Sequence, residues 1–289
     1  MTPSHDRPWT KKGALSAVAT RREANLFSPD LASHADRVRD ALHGSRVLVI
    51  GGAGSIGRET IAQIVPFRPA ALHVVDINEN GLAHLVRDLR SSRESLPIED
   101  FRTLPIDFGS PLMNRFLLAE KAYEHILHFA AVKHVRSEKD VYSALHMLDT
   151  NVLKVSRLME WLGAKGNAKT LFAVSTDKAA NPVNLMGASK RLMEHVLFSD
   201  ALGPVRSVRR TSARFANVAF SAGSLLQSWI RRLERHEPLP VPRKTRRFFI
   251  SLEESGTICL LAALCGADKR LFIPDLCPEK ELQELQAVA

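Results

Sequence analysis

Four consecutive residues, Ser175-Thr176-Asp177-Lys178, set two hydroxyls, a carboxylate and an ammonium side by side. Asp177 can act as a general acid if its proton affinity is raised, and Lys178 as a general base if its own is lowered. A plain surface Asp-Lys turn has the same composition, so location has to decide between the two readings. The four residues end an apolar, β-branched run over 170–175 that reads as a strand. Far upstream, Arg46-Val-Leu-Val-Ile runs into Gly51-x-x-Gly54-x-x-Gly57, and Ile56, Ile61, Ile64 and Val65 follow at helical spacing. This is the strand, tight turn and helix start of a dinucleotide-binding unit. Gly51 serves the turn, Gly54 the close approach of a pyrophosphate, and Gly57 the packing of helix on strand. Ser55 and Ile56 open the helix, whose unpaired amides and dipole favour the phosphates.

These groups need a scaffold that brings strand ends together. A strand over 72–76 ends in Asp76, nineteen residues beyond Gly57. A carboxylate there accepts hydrogen bonds from the adenosine ribose and repels a 2′-phosphate, which selects NAD over NADP. The alternative for Asp76 is a helix cap, a task Asn78 can also perform. A third strand over 101–107 ends in Asp107, suited to the adenine amino group or to a turn before Gly109. A fourth, over 125–131, runs into Ala130 and Ala131, small enough for a cofactor to lie across the strand end. A helix over 142–162 carries Asn151 and leads to the strand over 170–175. Strand and helix alternate throughout, which predicts an α/β fold with a doubly wound parallel sheet. Residues 1–29 read as a flexible arm and 30–44 as a leading helix with Leu31, Val38 and Leu42 on its apolar stripe. Residues 45–289 form the dinucleotide-binding domain, with substrate-binding elements mainly in 204–289.

Composition narrows the class. The chain has 289 residues, of which 45% are hydrophobic and 25% charged, an ordinary soluble balance. The longest apolar stretch, from Ile258 to Cys265, falls far short of the roughly 20 residues of a membrane span. No apolar signal segment opens the chain. Cys259, Cys265 and Cys277 have no metal-binding spacing and read as buried free thiols of a cytoplasmic protein. No metal site is expected. The net charge is +9, and residues 204–250 hold eleven basic side chains against Glu234 and Glu237. Such a concentration suits a phosphorylated ligand, nucleic acid, an anionic membrane surface or a solvated basic face. Aromatic residues are not interleaved with it and no recognition motif accompanies it, which argues against nucleic acid.

Several blocks together carry a resemblance. They are Gly51-x-x-Gly54-x-x-Gly57, Asp76-Ile-Asn-Glu-Asn, Ala130-Ala-Val-Lys-His-Val135, Thr150-Asn-Val152, Ser175-Thr-Asp-Lys-Ala179, Asn181-Pro182, Met186-Gly-Ala-Ser-Lys-Arg191, Arg214-Phe-Ala-Asn217 and Arg247-Phe-Phe249. From about residue 46 to 276 the chain resembles extended short-chain dehydrogenase/reductases. More narrowly, it resembles the nucleotide-sugar 4,6-dehydratase branch of bacterial polysaccharide and glycan biosynthesis.

The resemblance implies a Rossmann fold with a small C-terminal substrate lobe and a tightly held NAD. It also implies a redox-neutral loss of water from a UDP-N-acetylhexosamine, with a UDP-sugar as the partner and pairing into a homo-oligomer. In that reading Asp177 protonates the departing C6 hydroxyl, Lys178 takes the C5 proton and Thr176 bonds the sugar. Lys190 binds the nicotinamide ribose. Asn217, Arg214 and Arg247 hold or support the diphosphate, and Lys133 and His134 contact the substrate; His134 fits a packed core position equally well. Met186 stands where most relatives have the tyrosine that serves as base, which leaves the C4 base open among Asp177, Lys178, Thr176 and a water. Arg136-Ser-Glu-Lys139, Ala216 and Ala222 also depart from the family pattern, and Ala289 ends the chain sooner than in most relatives. A 4-epimerase or ketoreductase on the same fold, or a non-catalytic NAD-binding module, are the alternatives.

Overall fold

Val47–Ile50 offer no polar face and Leu72–Val75 carry only His73, so strands built from them are covered on both sides. The computed structural model describes residues 11–91, 96–166, 168–201 and 208–289. In chain order it begins with α1 (Lys11–Thr20), α2 (Ser28–Ser33), α3 (Ala35–Leu42), β1 (Arg46–Ile50), α4 (Ser55–Ile64), β2 (Ala71–Val75), α5 (Glu79–Arg90) and β3 (Asp100–Leu104). There follow α6 (Pro111–Ala119), β4 (His125–His128), α7 (Val141–Leu148), α8 (Lys154–Lys165), β5 (Thr170–Val174), α9 (Leu185–Phe198) and β6 (Arg209–Ala213). The remainder is β7 (Asn217–Val218), α10 (Leu225–Glu234), β8 (Arg246–Ile250), α11 (Leu252–Cys265), β9 (Arg270–Phe272), α12 (Pro278–Glu281), β10 (Leu282–Glu284) and α13 (Leu285–Val288).

Seven strands form one sheet in the order β3-β2-β1-β4-β5-β6-β9, parallel at every pairing. The order reverses between β1 and β4, which opens a crevice at their carboxyl ends. Alternate residues of β1 serve opposite cores. Val47 and Val49 pack in a cluster with Ile61, Leu72, Val74 and Leu260. Leu48 and Ile50 pack in another with Ile126, Met113, Leu158 and Met193. A second sheet, β10-β8-β7, stands apart and packs with α1, α10 and α13 around Trp229 and Phe249.

Capping fixes the helices that carry functional side chains. Asn184 accepts from Gly187 N at 2.8 Å and starts α9. Glu138 Oε2 accepts from Leu185 N at 2.8 Å, so the same helix start is tied to the segment after β4. Ser251 and Glu254 form a reciprocal capping box on α11.

Four expectations need correction. The described part of the arm, residues 11–29, is not free chain: α1 is helical, and Arg22 pairs with the buried Glu254 at 2.8 Å and with Glu281. Arg22 serves an ion pair rather than solvent, while Arg21 and Glu23 beside it are exposed. The leading helix is two helices, broken at His34, although Val38 and Leu42 are buried as the stripe requires. The helix over 142–162 is α7 and α8 joined by a π-helical turn, Asp149–Leu153, an irregularity common at functional sites. Cys259 is buried, but Cys277 is exposed and bonds Glu279 at 2.9 Å. Among the described residues, no helix is long and apolar enough to cross a membrane.

Candidate active site

The crevice beyond β1, β4 and β5 is a cleft of about 560 Å³. Every glycine-turn, strand-end and proton-transfer residue singled out in the sequence lines it, together with Lys133, His134 and Asn217. Arg214 and Arg247 do not.

At the cofactor end each of the three glycines has its own physical reason. Gly51 adopts φ +79°, and a Cβ there would lie 2.3 Å from Ala130 N, so any side chain would collide with the β4 backbone. A Cβ at Gly57 would come within 2.6 Å of Gly51 O, so α4 can pack this close to the turn only without one. At Gly54 the nearest atom to a Cβ is Gly51 O at 3.4 Å, an ordinary contact, and its bareness matters on the cleft side. Gly54 is the N-cap of α4 and supplies no side-chain cap, which leaves the first amides of that helix for a ligand.

Asp76 and Asp107 sit at the far side of this turn. Asp76 Oδ2 accepts from Ala53 N at 3.0 Å and Oδ1 from Asn78 N at 2.9 Å, so the carboxylate braces the glycine turn. Asn78 caps α5 by accepting from Gly81 N, which leaves Asp76 free of that duty. Asp107 accepts from Lys154 Nζ at 2.6 Å and from Gly109 N at 2.9 Å. Burial opposes its charge, but these two donors outweigh it and hold the carboxyl below its usual range. Lys154 was not foreseen from the sequence; a lysine opening a helix gives no local signal of the partner it will meet.

The end of β4 is locked by Asn151. Its side chain donates to Val132 O and accepts from Val132 N, both at 2.9 Å, and also donates to Ser189 Oγ on α9. The π-helical turn brings Asn151 to this position. Beside it Thr150 Oγ1 is buried, lines the cleft and has no hydrogen-bond partner among the described residues.

At the end of β5 three donors converge on one oxygen. Asp177 Oδ1 accepts from Thr176 Oγ1 at 2.8 Å, Lys178 N at 2.9 Å and Lys178 Nζ at 3.0 Å. The Asp177 and Lys178 side chains are 48% and 39% exposed, which leaves both within reach of a ligand in the cleft. Met186, at the start of α9, is buried and lines the cleft wall. Lys190, one turn further along α9, is 4% exposed and its Nζ lies 3.1 Å from Met193 Sδ. Burial pushes its pKa down to about 8, with Glu194 opposing.

Across the cleft Lys133 Nζ donates to Ala222 O at 2.8 Å, while Ser55 Oγ accepts from Ala222 N at 2.8 Å. The Ser221–Ser224 turn, missed in the sequence, is thereby held against both the glycine turn and the segment after β4. Its sequence signal was present as Ser-Ala-Gly-Ser, with Gly223 at φ +75° facing the His134 ring. His134 is exposed in the cleft rather than packed in a core.

Two expected phosphate ligands are elsewhere. Arg214 forms a forked ion pair with Glu194, with Nε to Oε1 at 2.8 Å and Nη2 to Oε2. Arg247 is exposed and donates to Arg246 O, in the strand pair with β10. Of the described basic side chains in 204–250 only Arg210 is buried, whereas Arg231, Arg235, Arg243, Lys244, Arg246 and Arg247 are exposed. Arg210 is fully buried against Asp200 and Asp268.

The parallel sheet, the glycine turn at its reversal point and the cleft at the strand ends define a Rossmann-type α/β protein. The sequence profile of the polysaccharide biosynthesis protein family matches residues 47–288, and the chain belongs to that family. It is 32% identical over 232 residues to the uncharacterized membrane protein MJ1061 of Methanocaldococcus jannaschii, covering 78% of this chain and 65% of that one. It is 28% identical to the inverting UDP-N-acetylglucosamine 4,6-dehydratase of Campylobacter jejuni, covering 81% and 68% of the two chains. The match to the probable polysaccharide biosynthesis protein EpsC of Bacillus subtilis is 28% identical and spans 83% of this chain but 39% of EpsC. The chain therefore corresponds to a part of several of its relatives. In fold it is similar to the dTDP-glucose 4,6-dehydratase DesIV of Streptomyces venezuelae, solved with NAD bound. The TM-score is 0.64 at 21% identity, over 79% of this chain and 74% of that one.

Proposed function

We propose that this chain is a hydro-lyase that removes water from a UDP-N-acetylhexosamine with the help of NAD, yielding a 4-keto-6-deoxy sugar nucleotide for a surface polysaccharide or glycan. One observation carries the reading: Asp177 and Lys178 stand together at the end of β5, in the cleft that holds the glycine turn. Epimerisation or ketone reduction at C4 needs one proton acceptor or donor beside the hydride carrier. Elimination across C5 and C6 needs an additional base and an additional acid, and this pair supplies both types.

The cleft suits the cofactor. The bare glycine turn, the uncapped start of α4 and the orphaned hydroxyl of Thr150 are features that a ligand with phosphates and hydroxyls would satisfy. Gly51, Gly54, Ser55, Ile56 and Gly57 would hold the pyrophosphate, Asp76 the adenosine ribose, and Ala130 and Ala131 would lie beneath the dinucleotide. Lys190 would lie at its nicotinamide ribose. NAD, when bound, supplies a hydride acceptor at C4 that gives the hydride back at C6, so no net oxidation occurs.

The protein's own share is proton traffic. Lys178 takes the C5 proton, Asp177 protonates the leaving C6 hydroxyl, and Thr176 orients the sugar. Lys133, His134 and Asn217 line the substrate side. Arg214 and Arg247 are withdrawn from that side, given where their side chains go.

The test is incubation with NAD and UDP-N-acetylglucosamine followed by mass spectrometry. The expected product is lighter by one water, and Lys178→Ala should abolish it while keeping NAD binding. A product of unchanged mass and altered stereochemistry would instead mean epimerisation. Net consumption of reduced cofactor would mean ketone reduction.

A further inference from the structure

Lys190 is a buried lysine with no carboxylate of its own, although one lies a single helical turn away. Glu194 follows it on α9 and is 3% exposed. Both oxygens of Glu194 are taken: Oε1 accepts from Ser175 Oγ at 2.5 Å and from Arg214 Nε at 2.8 Å, and Oε2 from Arg214 Nη2. The other polar groups near Lys190 are no better as counter-ions. His128, from β4, is fully buried with no hydrogen-bond partner among the described residues, and burial followed by the Lys190 charge pushes it down to about 3. It is therefore neutral. Asp177 is engaged with Lys178, and Asp107 with Lys154. Met193 offers only a thioether, and Met186 cannot exchange a proton at all.

We propose that Lys190 performs the proton exchange at the substrate C4 hydroxyl that Met186 cannot, and that Arg214 makes this possible by keeping Glu194 away from Lys190. The inference rests on the dehydratase reading above. In the oxidative half of the reaction, the C4 hydroxyl proton passes to the unprotonated Lys190 amine as the C4–H bond gives up its hydride and C4 becomes a ketone. Elimination then moves the C5 proton to Lys178 and releases the C6 hydroxyl as water with a proton from Asp177. The hydride adds to C6 of the resulting C5=C6 bond while a proton returns to C5 from Lys178, and the proton held on Lys190 replaces the one that Asp177 gave to the water. Protons and electrons therefore close over one turnover without an external reductant. Arg214 and Glu194 are positioning residues: they touch neither substrate nor cofactor and act through the charge state of Lys190. The buried pair also explains why an arginine beside the sugar-binding segment contributes nothing to a phosphate site.

Two experiments decide it. In the first, lysine side chains are ¹³C-labelled and Lys190 is titrated by NMR in the holoprotein and the free protein. Its inflection should fall near pH 8 in the wild type. In Arg214→Met it should move up by about 1–3 pH units as Glu194 turns to the ammonium. Arg214→Lys should restore the wild-type value, and Glu194→Gln should leave it at or below that value. In the second, turnover is followed against pH. The alkaline-favoured limb should track the Lys190 inflection in each variant, and Lys190→Arg, which cannot deprotonate, should bind NAD yet lose about 10²-fold or more in rate. Lys190→Arg retaining activity within a few-fold of wild type would overturn the proposal, as would an inflection unmoved in Arg214→Met. If Arg214→Met does not fold, Glu194→Gln and Lys190→Arg still decide. A Lys190 inflection above pH 10 in Glu194→Gln would overturn the idea. Absence of any dehydration by the wild type would remove the dehydratase reading, whereas the titration alone tests the link between Arg214 and Lys190.

Discussion

Two lysines line the same cleft and are treated in opposite ways. Lys154, toward the adenine side, is 12% exposed and paired with Asp107 at 2.6 Å, with Asp149 at 3.8 Å. Lys190, toward the reaction side, is more deeply buried and has no carboxylate in contact. Pairing satisfies a buried charge and fixes it, whereas leaving it unpaired lowers its proton affinity toward the working pH. The cofactor half of the cleft is accordingly closed by hydrogen bonds: Asp76 to Ala53, Asp107 to Gly109 and Asn151 to Val132. The other half leaves Asp177 and Lys178 partly exposed and Lys190 buried in the cleft wall without a carboxylate in contact among the described residues. On the proposed function the difference separates holding from reacting.

The contrast can be broken from either side. Lys178→Ala removes the proposed C5 base and, on the dehydratase reading, should lower dehydration by about 10²–10⁴-fold while leaving NAD binding intact in calorimetry. Arg214→Met exposes the other side of the contrast, because it removes the forked partner of Glu194, whose side chain is 4% exposed, and leaves it Ser175 and the Lys190 ammonium. Urea unfolding should record a loss of about 1.5–3 kcal/mol, since charge-assisted hydrogen bonds are lost and the turn to Lys190 recovers part of the pairing. In the cofactor half, Gly51→Ala forces a side chain into the β4 backbone at a left-handed position. A destabilisation of about 2–4 kcal/mol and loss of measurable NAD binding are expected, read by thermal unfolding and calorimetry.

How much of this was legible beforehand depends on what kind of burial each segment has. β1 and β5 were readable because parallel strands covered on both faces are apolar runs, and β2 and β4 because their apolar residues are interrupted only by histidines. β6 was not, since it opens with Arg209 and Arg210. Yet Arg210 is buried, donating to Asp200 and Ser199 O with Asp268 at 3.8 Å, and Arg209 donates to Ala263 O and Leu264 O at the end of α11. A charge that is paired inside the fold looks the same in sequence as one in solvent, so nothing local to Arg214 corrected the phosphate role that the family resemblance implied. The glycine turn and the Asp177-Lys178 pair were legible because backbone geometry and strand-end location constrain them locally. Glu194 and Lys154 were not, since their roles depend on partners 20 and 47 residues distant.

A smaller effect sharpens the picture of the reaction half from below. His128 is buried beside Lys190, and its folded pKa of about 3 lies under the ordinary 6.5. Between those values the unfolded chain binds the extra proton, so stability should fall as pH drops from about 6.5 toward 3. His73 and His125 are also lowered by burial and add to that slope. Urea unfolding against pH should therefore give a shallower acid slope in His128→Leu, though not a flat one. The smallest effect belongs to Arg247→Ala. Its side chain is exposed and bonded only to Arg246 O, so stability and affinity for a UDP-sugar should stay within about 0.5 kcal/mol of wild type.

The central claim is that the two halves of the cleft cooperate in a redox-neutral elimination. It is tested most directly with UDP-N-acetylglucosamine carrying deuterium at C4, incubated with catalytic amounts of protein and NAD and examined by mass spectrometry and NMR. The expected product has lost one water and retains the deuterium, now on C6, with no accumulation of reduced cofactor. Deuterium found still at C4 in a product of unchanged mass, or lost to the cofactor pool, would contradict it.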